Sequence, residues 1–177
     1  NVALGNGSLD DGSLSGGYNT SVGSDALGVN TSGSFNTAVG RNALIANTTG
    51  GSNVAIGGQA LDANTTASNN TAVGTSALSA NTTGTQNVAI GNSALAAQTT
   101  GGFNTIVGSL AGDAITTGNS NVAMGYSALS ADTLGDRNVA IGVQALQNQN
   151  FTSSTDSYNT AVGFYAGLNI TTGVQNT

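Results

Sequence analysis

Apolar and polar residues recur along the chain with a period of about 17 residues. Each repeat opens with the five-residue word Asn-[Val/Thr]-x-[aliphatic]-Gly, where the aliphatic place also accepts Met. The word starts at Asn1, Asn19, Asn36, Asn53, Asn70, Asn87, Asn104, Asn121, Asn138 and Asn159. Counted from this Asn, position 5 is always Gly, position 8 is Ala in nine copies and position 9 is Leu in eight. These columns disfavour a disordered low-complexity segment, the first alternative that a Gly-, Ser-, Thr- and Asn-rich chain raises.

The length of the repeat predicts a fold. A unit of about 17 residues is too short for a helix-pair repeat or a propeller blade, which need about 33 and about 40 residues. The opening word alternates as a short strand does, Gly at position 5 permits a corner, and the Asn-Thr-Thr-Gly segment suits a turn. We therefore predict an all-β chain that forms a parallel β-solenoid (β-roll) of about ten 17-residue coils. Residues 1–177 are expected to form a single repeat array, cut at both ends from a longer one.

The alternation also predicts which faces are buried. Positions 4 and 9, helped by position 2, are expected to supply the core, and position 3 is expected to point outward. Position 3 is Ala in eight copies, with Ser21 and Ile106 as exceptions. An outward Ala strip predicts contact between identical chains, because continuous exposed apolar strips mark interfaces. Where Gly112 and Gly167 replace Leu at position 9, an Ile follows three residues later, which predicts a compensated exchange.

Composition excludes several classes of function. The 177 residues include no His, Cys, Pro or Trp, and the formal net charge is −6. Without His or Cys there is no catalytic triad and no zinc-thiolate site, and two Arg residues do not neutralise a phosphate backbone. No apolar run of about 18 residues exists to span a membrane. We expect no enzyme activity, no cofactor, no metal, no nucleic-acid partner and no membrane insertion.

The word Asn-Val-Ala-Ile-Gly-x-x-Ala, present as Asn53 to Ala60, Asn87 to Ala94 and Asn138 to Ala145, resembles the head repeat of trimeric autotransporter adhesins. The longer unit from Asn70 to Gly84 is similar to shaft repeats of bacteriophage tail fibres. The resemblance covers nearly the whole chain and implies a β-roll that packs as a homotrimer, with twofold packing as the alternative. The coils of adhesin heads are shorter, so handedness and trimer geometry are not carried over. Neither family brings catalytic residues onto this segment.

The ninth coil carries four extra residues between Gln147 and Tyr158. Insertions in solenoids become surface loops, and such loops are frequently binding sites. Aromatic, amide and carboxylate side chains in this segment suit contact with a glycan or receptor. The candidate contact residues are Asn148, Asn150, Phe151, Asp156 and Tyr158. The alternative is a tolerated surface bulge.

Three further columns each admit two interpretations. The Thr-Thr pairs are expected to form turn and ladder hydrogen bonds, with an ice-binding hydroxyl array as the alternative. The Asn at position 1 is expected to form a structural ladder between coils rather than a ligand site. The aromatics before position 1 are expected to pack at the coil corner or against a neighbouring chain. These aromatics are Tyr18, Phe35, Phe103 and Tyr158.

Together these features predict a structural function. We expect the shaft of a phage tail fibre or related surface fibre, a rigid spacer for host-receptor attachment, outside the cell on a virion or on a bacterial surface. The implied partners are two identical chains and a host surface glycan or protein receptor. The alternatives are a cell-surface adhesin whose β-roll binds the target directly and a monomeric ice-binding solenoid. Sequons such as Asn47, Asn64, Asn81 and Asn169 would matter only in a host that glycosylates.

Overall fold

The computed structural model describes residues 1–10 and 15–177. Each copy of the repeat contributes one three-residue strand, and an additional two-residue strand occurs in the eighth and ninth coils. The strands are β1 (Val2–Leu4), β2 (Thr20–Val22), β3 (Thr37–Val39), β4 (Val54–Ile56), β5 (Thr71–Val73), β6 (Val88–Ile90), β7 (Thr105–Val107), β8 (Val122–Met124), β9 (Gly135–Asp136), β10 (Val139–Ile141), β11 (Thr155–Asp156) and β12 (Thr160–Val162). No helix is found in the described part of the chain.

Ten of these strands form one parallel sheet in the order β1-β2-β3-β4-β5-β6-β7-β8-β10-β12. Each strand pairs with the strand of the next coil in strict register, as Ala55 does with Ala72. The chain therefore completes about nine turns between the first and the tenth strand, with coils of about 17 residues. The predicted all-β parallel solenoid is confirmed.

The prediction of which strand face is buried is wrong. Position 3 faces the interior, and Ala38 and Ala55 are fully buried, whereas the position 4 residues Ile56 and Ile90 are 41% and 39% exposed. The core consists of the columns at positions 3, 8 and 9. The tight coil has a narrow interior that accepts Ala on the strand and one Leu per coil. The larger aliphatic side chains of positions 2 and 4 therefore lie outside, and the proposed outward Ala strip does not exist.

Leu at position 9 combines strain with burial. Leu44, for example, is fully buried and has a φ of 52°, in the left-handed region that costs an L-residue roughly 1–2 kcal/mol. Burying a Leu side chain contributes about 1.5–3 kcal/mol, enough to offset this strain. The predicted exchange at Gly112 is confirmed, because Ile115 is fully buried there.

Two ladders of side-chain amides run through the interior. At position 1, the backbone N–H of Asn53 donates to Asn36 Oδ1 at 3.0 Å, and Asn53 Nδ2 donates to the Ala67 carbonyl at 2.9 Å. At position 12, Asn64 Nδ2 donates to Asn47 Oδ1 at 2.8 Å. The expected structural role of the position 1 Asn is confirmed, and both ladders replace the water that buried polar groups would otherwise need.

The position 12 ladder also decides which sequons are accessible. Asn47, Asn64 and Asn81 belong to it and are fully buried, so the folded chain does not present their amides for glycosylation. Asn169 is exposed.

Candidate functional site

The outer surface carries a continuous aliphatic column at position 4. Its members pair in register along the sheet, as Ile56 does with Val73 and Ile90 with Val107. Ile56 and Ile90 are each about two-fifths exposed. The column extends from Leu4 in the first coil to Val162 in the last, so it forms one apolar strip along the solenoid.

The Thr-Thr pairs divide their roles between the two residues. In five successive pairs the first Thr donates its hydroxyl to the next coil, as Thr48 Oγ1 does to the Thr65 carbonyl at 3.1 Å. The predicted ladder hydrogen bonds are therefore present. The second Thr is exposed in five successive coils, and ice binding would rest on this single column. Its members are Thr49, Thr66, Thr83, Thr100 and Thr117.

Position 17, the residue before each Asn, forms a second outward column, which we call the ridge. Ridge residues have φ values near +60°, as Phe103 (61°) and Ser120 (58°) do. Tyr18 and Phe35 stack at a centroid distance of 4.9 Å, which agrees with the expected packing role. All three rings are mostly exposed, and Phe103 is 60% exposed.

The five predicted contact residues do not form one surface. Phe151 is only 6% exposed, so its predicted role in an exposed aromatic surface is wrong. Asn148 and Asn150 are exposed, and Asn150 Oδ1 accepts a hydrogen bond from Thr133 Oγ1 at 3.0 Å, in the column of the first Thr. Asp156 and Tyr158 lie instead at the ridge corner, where both are exposed.

Phe151 is buried because a carboxylate inside the solenoid anchors the inserted segment. Asp132 replaces Asn at position 12 and is fully buried. Its carboxylate accepts hydrogen bonds from the backbone N–H groups of Gly135 at 3.0 Å and Phe151 at 3.2 Å. Gln149 Nε2 donates to its other oxygen at 2.7 Å. These bonds draw the start of the insertion inward.

A second carboxylate holds the far end of the insertion. Asp136 accepts hydrogen bonds from the backbone N–H of Asn119 at 2.6 Å and from Ser154 Oγ at 3.0 Å. β9 and β11 pair in parallel here, with Asp156 opposite Asp136. The insertion is therefore an ordered part of the ridge corner.

A groove lies beside this corner. It has a volume of about 470 Å³ and is lined by Phe103, Asn119, Ser120, Asp136, Arg137 and Asp156. Arg137 forms an ion pair with Asp156, and its guanidinium carbon lies 5.6 Å from the centroid of the Tyr158 ring.

Only Asp156 in this lining was predicted as a contact residue. Arg137 is the one basic residue in the ridge column, and Phe103 is the nearest preceding aromatic in that column, two repeats earlier. This spacing was the signal in the sequence that would have pointed to the groove.

Other chemistry is sparse in the described residues. No group of three acidic, His or Cys residues there is placed to hold a metal ion. In that part of the chain, no helix has the length and apolar character to cross a membrane. Burial raises the pKa of Asp62 and of Asp113, both at position 10 and away from the groove.

Comparisons with protein families, with curated proteins and with solved structures give no match. The continuous parallel sheet, the repeated coil and the internal ladders define a β-solenoid repeat protein.

Proposed function

We propose that this chain is the structural shaft of a phage tail fibre or related surface fibre, and that it acts as a rigid spacer in host attachment. The observation that carries the proposal is the unbroken sheet, in which ten strands pair in one register from β1 to β12. Each coil contacts only its neighbours, so length is added without a change of cross-section. The resemblance of the repeat to tail-fibre shafts and adhesin heads points the same way.

The proposal includes assembly into a homotrimer outside the cell. Since the Ala column is internal, the contact between chains has to use another surface. The aliphatic column at position 4 supports this role, because an apolar strip of that length is a typical interface. Other chains with the same coil repeat would match it along its full length.

Solution mass tests the assembly. A homotrimer predicts about three times 17.1 kDa by light scattering. Ile90→Asp places a charge on the aliphatic column at position 4, where a monomer would tolerate it but an apolar interface would not. We expect this variant to shift the mass toward that of one chain. Thr100→Asp, on an exposed column of the same coil, is the matched control and should keep the wild-type mass.

A wild-type chain that runs as a folded monomer would contradict the trimer and favour a single-chain solenoid. An oligomer that survives Ile90→Asp would place the interface on another face.

A further inference from the structure

We propose that the groove beside Arg137 is a binding site for a neutral saccharide. This goes beyond the spacer function, since a shaft needs no ligand site. It also differs from the surface predicted from the insertion, because it excludes Phe151 and includes Phe103, Ser120 and Arg137.

The ridge column supplies the walls of the groove. Ser120 N–H donates to the Gly102 carbonyl at 3.1 Å, and Arg137 N–H donates to the Asn119 carbonyl at 3.0 Å, so successive coils stack directly here. Phe103 and Arg137 are two coils apart, or about 10 Å at the strand spacing of about 4.8 Å. Ser120 lies between them and has a small side chain. The column therefore presents an aromatic wall, a gap and a charged wall.

The floor is held in place before any ligand arrives. Asn119 Oδ1 accepts a hydrogen bond from the Gly102 N–H at 2.8 Å, and Asn119 Nδ2 donates to the Thr117 carbonyl at 2.9 Å. Asp136 is 8% exposed and is held by Asn119 and Ser154. A site with fixed polar groups loses less entropy when it binds.

The exposed groups suit a sugar ring. Arg137 and Asp156 are about half exposed, so one wall offers both donors and acceptors to vicinal hydroxyls. The ring of Phe103 is mostly exposed, and its apolar face carries the negative side of the aromatic quadrupole. The C–H groups on one face of a pyranose ring can stack on it.

Charge argues for a neutral ligand. Asp136 and Asp156 outnumber Arg137 within the groove, and the formal charge of the whole chain is −6. Arg137 is already paired with Asp156, so it offers little net positive potential to an anion. A sialylated or phosphorylated glycan would meet repulsion.

Titration of the intact chain with galactose, glucose, mannose, N-acetylglucosamine and lactose, followed by NMR, tests the proposal. Sialyllactose serves as the anionic comparison. We expect at least one neutral sugar to saturate the site and to change the chemical shifts of Phe103 and Arg137. Phe103→Ala should weaken the binding of that sugar about tenfold.

Ser120→Phe is the sharper variant, because it fills the gap and leaves the aromatic and charged residues of the groove in place. Phe already occupies this column at 35 and 103 with φ of 61°, so the substitution suits a backbone with φ of 58°. Ser52→Phe, at the same position in another coil and with φ of 57°, is the matched control. We expect Ser120→Phe to abolish binding and Ser52→Phe to leave it unchanged.

Three results would overturn the proposal. They are the absence of saturable binding by every neutral sugar, binding that Ser120→Phe leaves intact, and a preference for sialyllactose. None of them bears on the mass of the assembly, so the spacer proposal is tested separately.

Discussion

Ile115 fills the space that Gly112 leaves in the seventh coil. A Cβ built on Gly112 would lie 3.1 Å from Ile115 Cδ1 and 3.4 Å from Ile106 Cδ1. Both Ile side chains are fully buried, and both occupy columns that hold Ala or polar residues in most coils. The seventh coil thus exchanges one Leu for two Ile residues within the same narrow interior.

This exchange predicts strong coupling among the three positions. Gly112→Leu alone should overfill the coil and destabilise the chain by about 1–3 kcal/mol, because inserted carbon atoms clash in a packed core. The triple variant Ile106→Ala, Gly112→Leu, Ile115→Asn restores the common pattern and should recover most of that loss. Chemical unfolding of the single and triple variants measures the coupling. Equal destabilisation of both would contradict the packing described.

The corner glycines at position 5 allow successive coils to approach closely. Gly91 has a φ of 136°, and a Cβ there would lie 2.5 Å from the carbonyl carbon of Gly108. Gly108 has the same relation to Gly125, at 2.6 Å. Gly91→Val and Gly108→Val should each lower the melting temperature sharply, since both the backbone conformation and the stacking exclude a side chain.

Gly58→Val is the matched control for these corners. Its φ is not in the left-handed region, and the nearest atom to a Cβ there is the Arg41 carbonyl oxygen at 4.0 Å. Thermal unfolding followed by circular dichroism should show little change for this variant. A melting temperature equal to that of the wild type in Gly91→Val would count against the stacked corner.

The repeat period was sufficient to predict the coil, the parallel sheet and the Asn ladder. It was not sufficient to predict the inward face, because alternation fixes that positions 3 and 4 point oppositely but not which is inside. In these coils Leu at position 9 already fills the interior, so Ala lies inside and the position 4 residues Ile56 and Ile90 lie outside. Hydrophobicity alone favoured the opposite assignment. The width of the lumen depends on the whole coil, which no strand pattern reveals.

The candidate site was predicted only in part for a similar reason. Asp156 and Tyr158 are at the ridge corner, but Phe151 is drawn inside by hydrogen bonding to Asp132. That bond joins residues 19 apart and depends on an Asp within an amide column. Phe103 lies near Arg137 because successive coils stack and both residues belong to the ridge column. Its position in the site can therefore be predicted from the repeat period once the ridge is known to face outward.

The position 1 ladder should contribute measurably to stability. Asn53 is fully buried, donates to the Ala67 carbonyl and accepts from the Asn70 N–H at 3.0 Å. Asn53→Ala leaves the Asn70 N–H without its acceptor, which should cost about 1–3 kcal/mol, whereas the Ala67 carbonyl keeps its hydrogen bond from Asn64 Nδ2 at 3.1 Å. Asn92→Ala, at an exposed position in another coil, should be nearly neutral. Urea unfolding of both variants checks the difference, and a neutral Asn53→Ala would show that the ladder is dispensable.

Burial of Asp113 predicts a dependence of stability on pH. Desolvation raises its pKa, and within the described residues its buried Oδ1 has no hydrogen-bond partner. The folded state therefore binds the proton more tightly than the unfolded state. As the pH rises from the unfolded pKa of about 3.9 through the raised folded pKa, this group should lose stabilising protonation, so its contribution to the free energy of unfolding falls.

Asp113→Asn removes the titration and should raise the melting temperature at pH 7 more than at pH 3. Melting curves of wild type and variant across this range make the comparison, with Asp62→Asn as a second case in which burial raises the pKa. Parallel curves at every pH would show that Asp113 is as well solvated in the fold as in the unfolded chain.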